Sequence, residues 1–97
     1  MTERKSAEWM CPLDERILEY IESEGWATPS LIHRETAMLA SCRRAFERLK
    51  ILEETGLVAR PYEGGIVFEL AGEGQRYLCG ELDAAKHLER PNPKAMN

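Results

Sequence analysis

Few side chains in this sequence have the chemistry of a catalytic or metal-binding site. The only histidines are His33 and His87, and the three cysteines, Cys11, Cys42 and Cys79, lie far apart without a Cys-x-x-Cys pair. The sequence contains no nucleophile elbow, phosphate-binding loop or Ser/His/Asp order. Zinc sites and disulfide frameworks need cysteine spacings that this chain lacks. The sequence therefore predicts no enzyme, no metal site and no cofactor.

Basic side chains are the second group whose chemistry matters, because an arginine can hold a phosphate or the edge of a guanine. The segment CRRAFERLKILEET places Arg43 and Arg44 at its start and Arg48 one turn later. At about 100° per residue, an apolar stripe and a charged stripe lie on opposite sides of this predicted helix. Arg44, Arg48 and Ile51 lie at the edge between the two stripes. The charged stripe consists of Arg43, Glu47, Lys50 and Glu54.

Two interpretations of these charges stay open. A solvated helix surface carries such residues as ion pairs four positions apart, each contributing a few tenths of a kcal/mol. On a binding surface, the basic residues would instead contact a polyanion. The net charge of −4, from 17 acidic and 13 basic residues, by itself argues against nucleic acid. The distribution of charge matters more than its sum, however.

Composition indicates one small cytoplasmic domain. The chain has 97 residues, of which 43% are hydrophobic and 31% charged, as in ordinary globular proteins. No apolar run approaches the roughly 18 residues of a membrane span, and the N-terminal residues lead into no signal-like stretch. We expect a domain over residues 1–85 and a disordered tail over 86–97, where the sequence turns polar and contains two prolines.

Periodicity and end signals predict four helices, near residues 12–24, 29–36, 41–55 and 73–85. Thr28 followed by Pro29 is typical of a helix start, as is Ser41, and Gly25 and Gly56 suit the left-handed residue that follows a helix. Two strands, over 57–62 and 66–70, form a hairpin across 57–70. This element order predicts a mainly α fold with a small β-hairpin (α+β), the winged helix-turn-helix, in which the hairpin is the wing.

Three segments carry a resemblance to a known family: TPSLI, LxxLEETGLVAR and GGIVFELAGEGQRYL. Together they resemble archaeal winged-helix transcriptional regulators, and the chain is most similar to haloarchaeal phage-repressor-like proteins from about Leu13 to Asp83. The resemblance implies a halophilic source and sequence-specific binding of double-stranded DNA. We expect the protein to repress transcription rather than to activate it. The resemblance also implies that the third helix binds DNA with help from the wing, usually in a homodimer.

Carried over to this sequence, the resemblance implies a set of DNA-binding residues. The third helix would supply most of them, the second helix and the wing one each. They are Arg34, Ser41, Arg43, Arg44, Glu47, Arg48, Lys50 and Arg60. This sequence departs from the family pattern in its negative charge, in a turn without glycine at Ala37-Met38-Leu39, and in a wing tip, Glu63-Gly64-Gly65, without basic residues.

Three further hypotheses remain open at this stage. The last helix, through Tyr77, Leu78 and Leu82 with Trp9 and Met10, forms a dimer surface, or these residues only close the core of one chain. The acidic balance also fits a winged-helix module that binds another protein instead of DNA. Finally, the two arginines beside Cys42 could activate its thiol for redox regulation.

Overall fold

The computed structural model describes residues 4–35 and 39–88. The element order is α1 (Pro12–Glu24), α2 (Pro29–Arg34), α3 (Cys42–Glu54), β1 (Val58–Ala59), β2 (Glu69–Leu70), α4 (Gly72–Leu78) and α5 (Ala84–His87). The predicted fold class is confirmed: the protein is mainly helical with one two-stranded antiparallel hairpin, arranged as a winged helix-turn-helix. Within the described residues, every helix is too short or too polar to cross a membrane.

Helix α1 begins and ends where its local chemistry requires. Asp14, in the first turn, accepts a hydrogen bond from the Cys11 backbone N–H at 3.0 Å, and Pro12 occupies the first position, where no N–H is needed. Gly25 then takes φ +92°, which a glycine adopts without steric cost, and α1 ends. The inward side of α1 carries Asp14, Ile17, Leu18 and Ile21.

Helices α2 and α3 form the helix-turn-helix. The Thr28 hydroxyl accepts from the Leu31 N–H at 3.2 Å, and the Ser41 hydroxyl accepts from the Arg44 N–H at 3.0 Å, so both predicted caps are present. Residues 36–38, which include the predicted end of α2 and most of the glycine-free turn, lie outside the described residues. At the end of that turn Leu39 has φ +49°.

The hairpin is shorter than the two predicted strands. Only Val58–Ala59 and Glu69–Leu70 pair, with Val58 opposite Leu70. Phe68 instead exchanges two backbone hydrogen bonds with Ala27, at 2.8 and 2.9 Å. The hairpin thus continues against the segment between α1 and α2, a partner that alternation of residues cannot reveal.

The predicted helix over 73–85 is wrong as a single element. Gly80, at φ +80°, ends the turn that follows α4, and its N–H donates to the Tyr77 carbonyl at 3.0 Å. A separate helix, α5, begins after Asp83, whose carboxylate accepts from the Ala85 N–H at 3.0 Å. Residues 86 and 87, assigned to the disordered tail, belong to α5, and residues 89–97 of that tail lie outside the described residues.

The core lies among α1, α3, the hairpin and α4. At Gly74 a Cβ atom would stand 2.2 Å from the Leu57 carbonyl oxygen, so only glycine lets α4 approach the hairpin this closely. The largest fully buried side chains include Tyr77, Phe68, Ile17, Leu18, Ile32, Leu49, Leu52 and Leu82.

The predicted dimer surface is contradicted by burial within one chain. Tyr77 and Leu82 are fully buried, and Leu78 and Trp9 are 8% and 9% exposed. Met10 is partly buried and packs against the same core. Tyr77 and Leu82 have no accessible surface with which to contact a second copy, and Leu78, Trp9 and Met10 pack against the same core. These residues close the monomer, the alternative that the sequence left open.

Candidate nucleic-acid interface

The outward side of α3 carries a group of exposed polar residues. Arg43 is 91% exposed, and Ser41, Cys42, Arg44 and Lys50 are also exposed. They project because the opposite side of the helix, with Ala45, Leu49 and Leu52, is fully buried. Within the described residues Arg44 makes no ion pair. The start of α3 is therefore accessible to a partner.

Two local contacts order this surface without covering it. Arg43 Nε lies 3.3 Å from Glu47 Oε1, and Lys50 Nζ lies 5.5 Å from the centre of the Phe46 ring. Exposed ion pairs of this kind contribute little free energy and exchange readily for another partner. Arg43, Glu47 and Lys50 thus lie along one side of α3, as the helical period predicted.

Arg34 lies at the end of α2, exposed, beside a hydrogen bond that connects α2 to the start of α3. His33 Nδ1 is 2.9 Å from the Ala40 carbonyl oxygen. Because a carbonyl only accepts, Nδ1 must carry the proton of this bond. His33 is exposed, and its contact across the turn is one that the sequence does not predict.

Arg48 lies on the inward side of α3, which contradicts its predicted place in the DNA-binding set. Its side chain is 5% exposed and its guanidinium binds the fully buried carboxylate of Asp14, with Nε 2.8 Å from Oδ1. Nη2 also donates to the Trp9 carbonyl at 3.1 Å. The hydrogen bond to Asp14 raises the pKa of Arg48 against the opposing effect of its burial. This arginine cannot reach a partner outside the protein.

The sequence did contain a signal for this buried pair. Asp14 stands in register with Ile17, Leu18 and Ile21, and Arg48, at the edge of the apolar stripe of α3, is three positions from Ala45 and four from Leu52. A single acid in one stripe and a single arginine at the edge of another is the pattern of a buried ion pair.

Arg60 lies in the wing but is occupied by the protein itself. Its Nε and Nη2 donate to the Glu53 carboxylate at 2.9 and 2.8 Å, and Nη1 donates to the Gly65 carbonyl at 3.0 Å. The guanidinium also lies 5.0 Å from the centre of the Phe68 ring. The hydrogen bond to Glu53 raises the pKa of Arg60. Arg60 braces the wing against the end of α3 and does not belong to the exposed group.

The wing tip is apolar and acidic. The Gly65 N–H donates to the Tyr62 carbonyl at 3.0 Å, with Gly64 at φ +75°, which makes a tight turn. Tyr62 and Ile66 are 76% and 58% exposed, and Glu63 is exposed between them. The wing therefore offers no cation at its tip.

Six of the eight predicted residues remain outward-facing. We call this group the α3 surface, and it consists of Arg34, Ser41, Arg43, Arg44, Glu47 and Lys50. Leu39, which the sequence placed in the glycine-free turn but not among the DNA-binding residues, lies two residues before Ser41 and is 91% exposed. In residues 4–35 and 39–88 no group of three histidines, cysteines or acids could hold a metal ion, and the cysteines are free thiols.

Comparison with known proteins finds one solved structure that matches closely: the crystal structure of the PhiH1 repressor-like protein from Haloarcula marismortui. The two share 35% sequence identity with a TM-score of 0.83, over 95% of this chain and 100% of that one. The chain belongs to the PhiH1 repressor-like family. The family predicted from TPSLI, LEETGLVAR and GGIVFELAGEGQRYL is thus confirmed. No protein-family model and no curated protein matches the sequence.

Proposed function

We propose that this protein binds double-stranded DNA through the α3 surface and represses transcription by occupying a promoter. The observation that carries the proposal is the exposure of Arg43, Arg44 and Lys50 on a helix whose opposite side is buried. A helix about 10–12 Å across fits the major groove, which is about 12 Å wide. The name of the related protein, a repressor-like protein, supports a regulator over an enzyme.

Each residue of the α3 surface has a role that its chemistry permits. Arg43 and Arg44, in the first turn of α3, are suited to hold guanine O6 and N7 at two points. Glu47 can accept from a cytosine amino group, while Ser41, Lys50 and Arg34 are suited to phosphates. Base contacts at the start of α3 and phosphate contacts around them would together set the register on DNA.

The negative net charge of −4 does not prevent this contact. At 1 M salt the Debye length is about 3 Å, so remote glutamates would hardly repel DNA in a salt-rich cell.

Selection of random duplexes followed by affinity measurement tests the proposal. With the selected duplex, Arg44→Ala should lose about 1–3 kcal/mol of binding and its preference at one base pair. Arg16→Ala is the matched control, because Arg16 is exposed on α1 and its loss changes the net charge equally. Equal effects of the two substitutions would contradict the proposal. A loss that is uniform over all sequences would make Arg44 a phosphate contact.

Binding to another protein is the second candidate, and the wing tip favours it. Tyr62 and Ile66 are exposed there and no cation lies at the tip, a composition closer to protein interfaces than to DNA interfaces. The salt dependence of DNA retention separates the two. About six phosphate contacts in a dimer predict a log–log slope near −5. No retention at low salt would favour the protein-binding candidate.

A homodimer is part of the proposal, through a surface other than the buried residues of α4. A single small module gives limited contact with DNA, and two copies on a symmetric operator supply more. Light scattering at micromolar concentration, with and without the selected duplex, measures the assembly. A strict monomer in both conditions would remove the symmetric operator but leave the DNA contact of α3 to be judged by the Arg44 experiment.

A further inference from the structure

We propose that Arg48 is a positioning residue: its buried bonds set the rotation of α3 about its axis, and so determine which base pairs Arg43 and Arg44 reach. This inference rests on the proposed DNA binding. It assigns to the inward side of α3 a part in sequence preference, without any contact between Arg48 and DNA.

The guanidinium of Arg48 is held at three points by two separate segments. Nε and Nη2 bind the two oxygens of Asp14, and Nη2 also reaches the Trp9 carbonyl at 3.1 Å. A planar two-point grip on a carboxylate fixes orientation as well as distance. These hydrogen bonds fix both the position and the orientation of the Arg48 guanidinium. The hydrophobic effect that holds its apolar neighbours on α3 has no directional preference.

The groups that hold Arg48 are themselves fixed. Asp14 is fully buried in the first turn of α1 and accepts from the Cys11 N–H at 3.0 Å. The side chain of Trp9 is 9% exposed and belongs to the core. A restraint therefore runs from the start of α1 and the preceding segment to the middle of α3, midway along the helix that carries the α3 surface.

Stability alone does not account for an ion pair at this position. The desolvation of two charges can offset their attraction, and apolar residues of similar size often replace such a pair without loss of stability. What apolar packing does not supply is direction. At the outer radius of a helix, about 5–6 Å, a rotation of 10° moves a group by about 1 Å, and a hydrogen bond tolerates only a few tenths.

The test replaces the pair by apolar residues and measures sequence preference. The double variant Asp14→Leu/Arg48→Met keeps the net charge and leaves no unpaired ion. The control, Glu73→Leu/Arg76→Met, removes an exposed pair on α4 in which an arginine likewise binds a carboxylate, at 3.1 Å. For each protein, the ratio of Kd on an unrelated duplex to Kd on the selected duplex is measured at a temperature where circular dichroism shows full folding.

We expect the ratio to fall at least about tenfold in the Asp14/Arg48 variant, the worth of roughly one base contact. Its Kd on the unrelated duplex should stay within about twofold of wild type, as should both values for the control. A purely structural pair would leave the ratio unchanged in any folded variant. A ratio within twofold of wild type in the folded double variant would overturn the proposal.

A single substitution covers the case in which the double variant does not fold. Arg48→Lys keeps the charge beside Asp14, but an ammonium cannot span both carboxylate oxygens and the Trp9 carbonyl. Its ratio should fall several-fold, and an unchanged ratio would again overturn the proposal. The wild-type protein distinguishes failure of the DNA-binding proposal from failure of the role of Arg48. If wild type prefers no duplex, the DNA-binding proposal fails. If its preference survives both sets of substitutions, only the role of Arg48 is overturned.

Discussion

The two sides of α3 give the same residue type opposite roles. Arg43 and Arg48 lie five positions apart on one helix, yet their side chains are 91% and 5% exposed. Arg43 meets only Glu47 of its own helix, whereas Arg48 meets an acid that α1 has brought into the core. The role of an arginine here depends on which acid the tertiary structure places opposite it.

Arg60 is intermediate and supports the same lesson. Its side chain is 20% exposed and its partner, Glu53, comes from the end of α3. Three arginines with increasing exposure should therefore give decreasing losses of folding free energy when truncated.

Removal of Arg48 should have the largest effect. Arg48→Ala leaves the Asp14 carboxylate buried without its cation, which should cost about 3–5 kcal/mol of unfolding free energy. Denaturant unfolding monitored by circular dichroism measures the loss. Arg44→Ala, the same change on the exposed side of α3, is the control. A loss below about 1 kcal/mol for Arg48→Ala would show that the buried pair is not closed in solution.

A neutral donor on α4, the Tyr77 hydroxyl, bonds to Glu15 of α1 and extends the comparison to pH. The Tyr77 hydroxyl donates to Glu15, and burial together with this bond raises the pKa of Tyr77 well above its ordinary value near 10. The fold therefore favours the protonated phenol, so its stabilisation is complete below pH 10 and is lost as pH rises further. Between pH 10 and the folded pKa, wild type should lose up to about 1.4 kcal/mol per pH unit more than Tyr77→Phe.

Unfolding of both proteins in urea at pH 9 and pH 11 provides this measurement. The difference in unfolding free energy between wild type and Tyr77→Phe should shrink or change sign at pH 11. Parallel curves for the two proteins would mean that the Tyr77 hydroxyl is solvated in the folded state.

Arg60→Ala should have an intermediate effect of about 1 kcal/mol, because a partly exposed guanidinium loses its bonds to Glu53 and the ring contact with Phe68. Thermal unfolding measures it. Arg76→Ala, which breaks an exposed pair on α4, is the control and should change stability less. Equal losses of stability for Arg60→Ala and Arg76→Ala would mean that Arg60 stabilises the wing no more than an ordinary surface ion pair does.

Arg43→Ala should have the smallest effect on folding, within about 0.5 kcal/mol, since the Arg43–Glu47 contact is exposed and alanine favours helix. Its consequence should instead appear in binding to the selected duplex. A loss of unfolding free energy comparable to that of Arg60→Ala would contradict the expectation that the exposed side of α3 contributes little to folding.

Local signals in the sequence were sufficient for most of the elements. Pro12 and Gly25 bound α1 as predicted, and Ser41 caps α3. These signals act between residues within a few positions of each other, so they can be recognised in the sequence without knowledge of the fold. Where the hairpin and the last helix were predicted too long, the deciding contact was distant, as between Phe68 and Ala27, or the ending residue, Gly80, was overlooked.

By itself, the sequence determined the starts of the first three helices, the winged fold, the family and the outward position of Arg43, Glu47 and Lys50, because helical period and capping are properties of a short stretch. Only the tertiary structure decided that Arg48 is held by Asp14, that Arg60 braces the wing and that Tyr77 closes the core. The physical reason is that the free energy of a charged or amphipathic side chain depends on its surroundings. Those surroundings come from other elements: Asp14 is 34 positions from Arg48, and Glu53 and Gly65 meet Arg60 only because the hairpin folds back onto the end of α3.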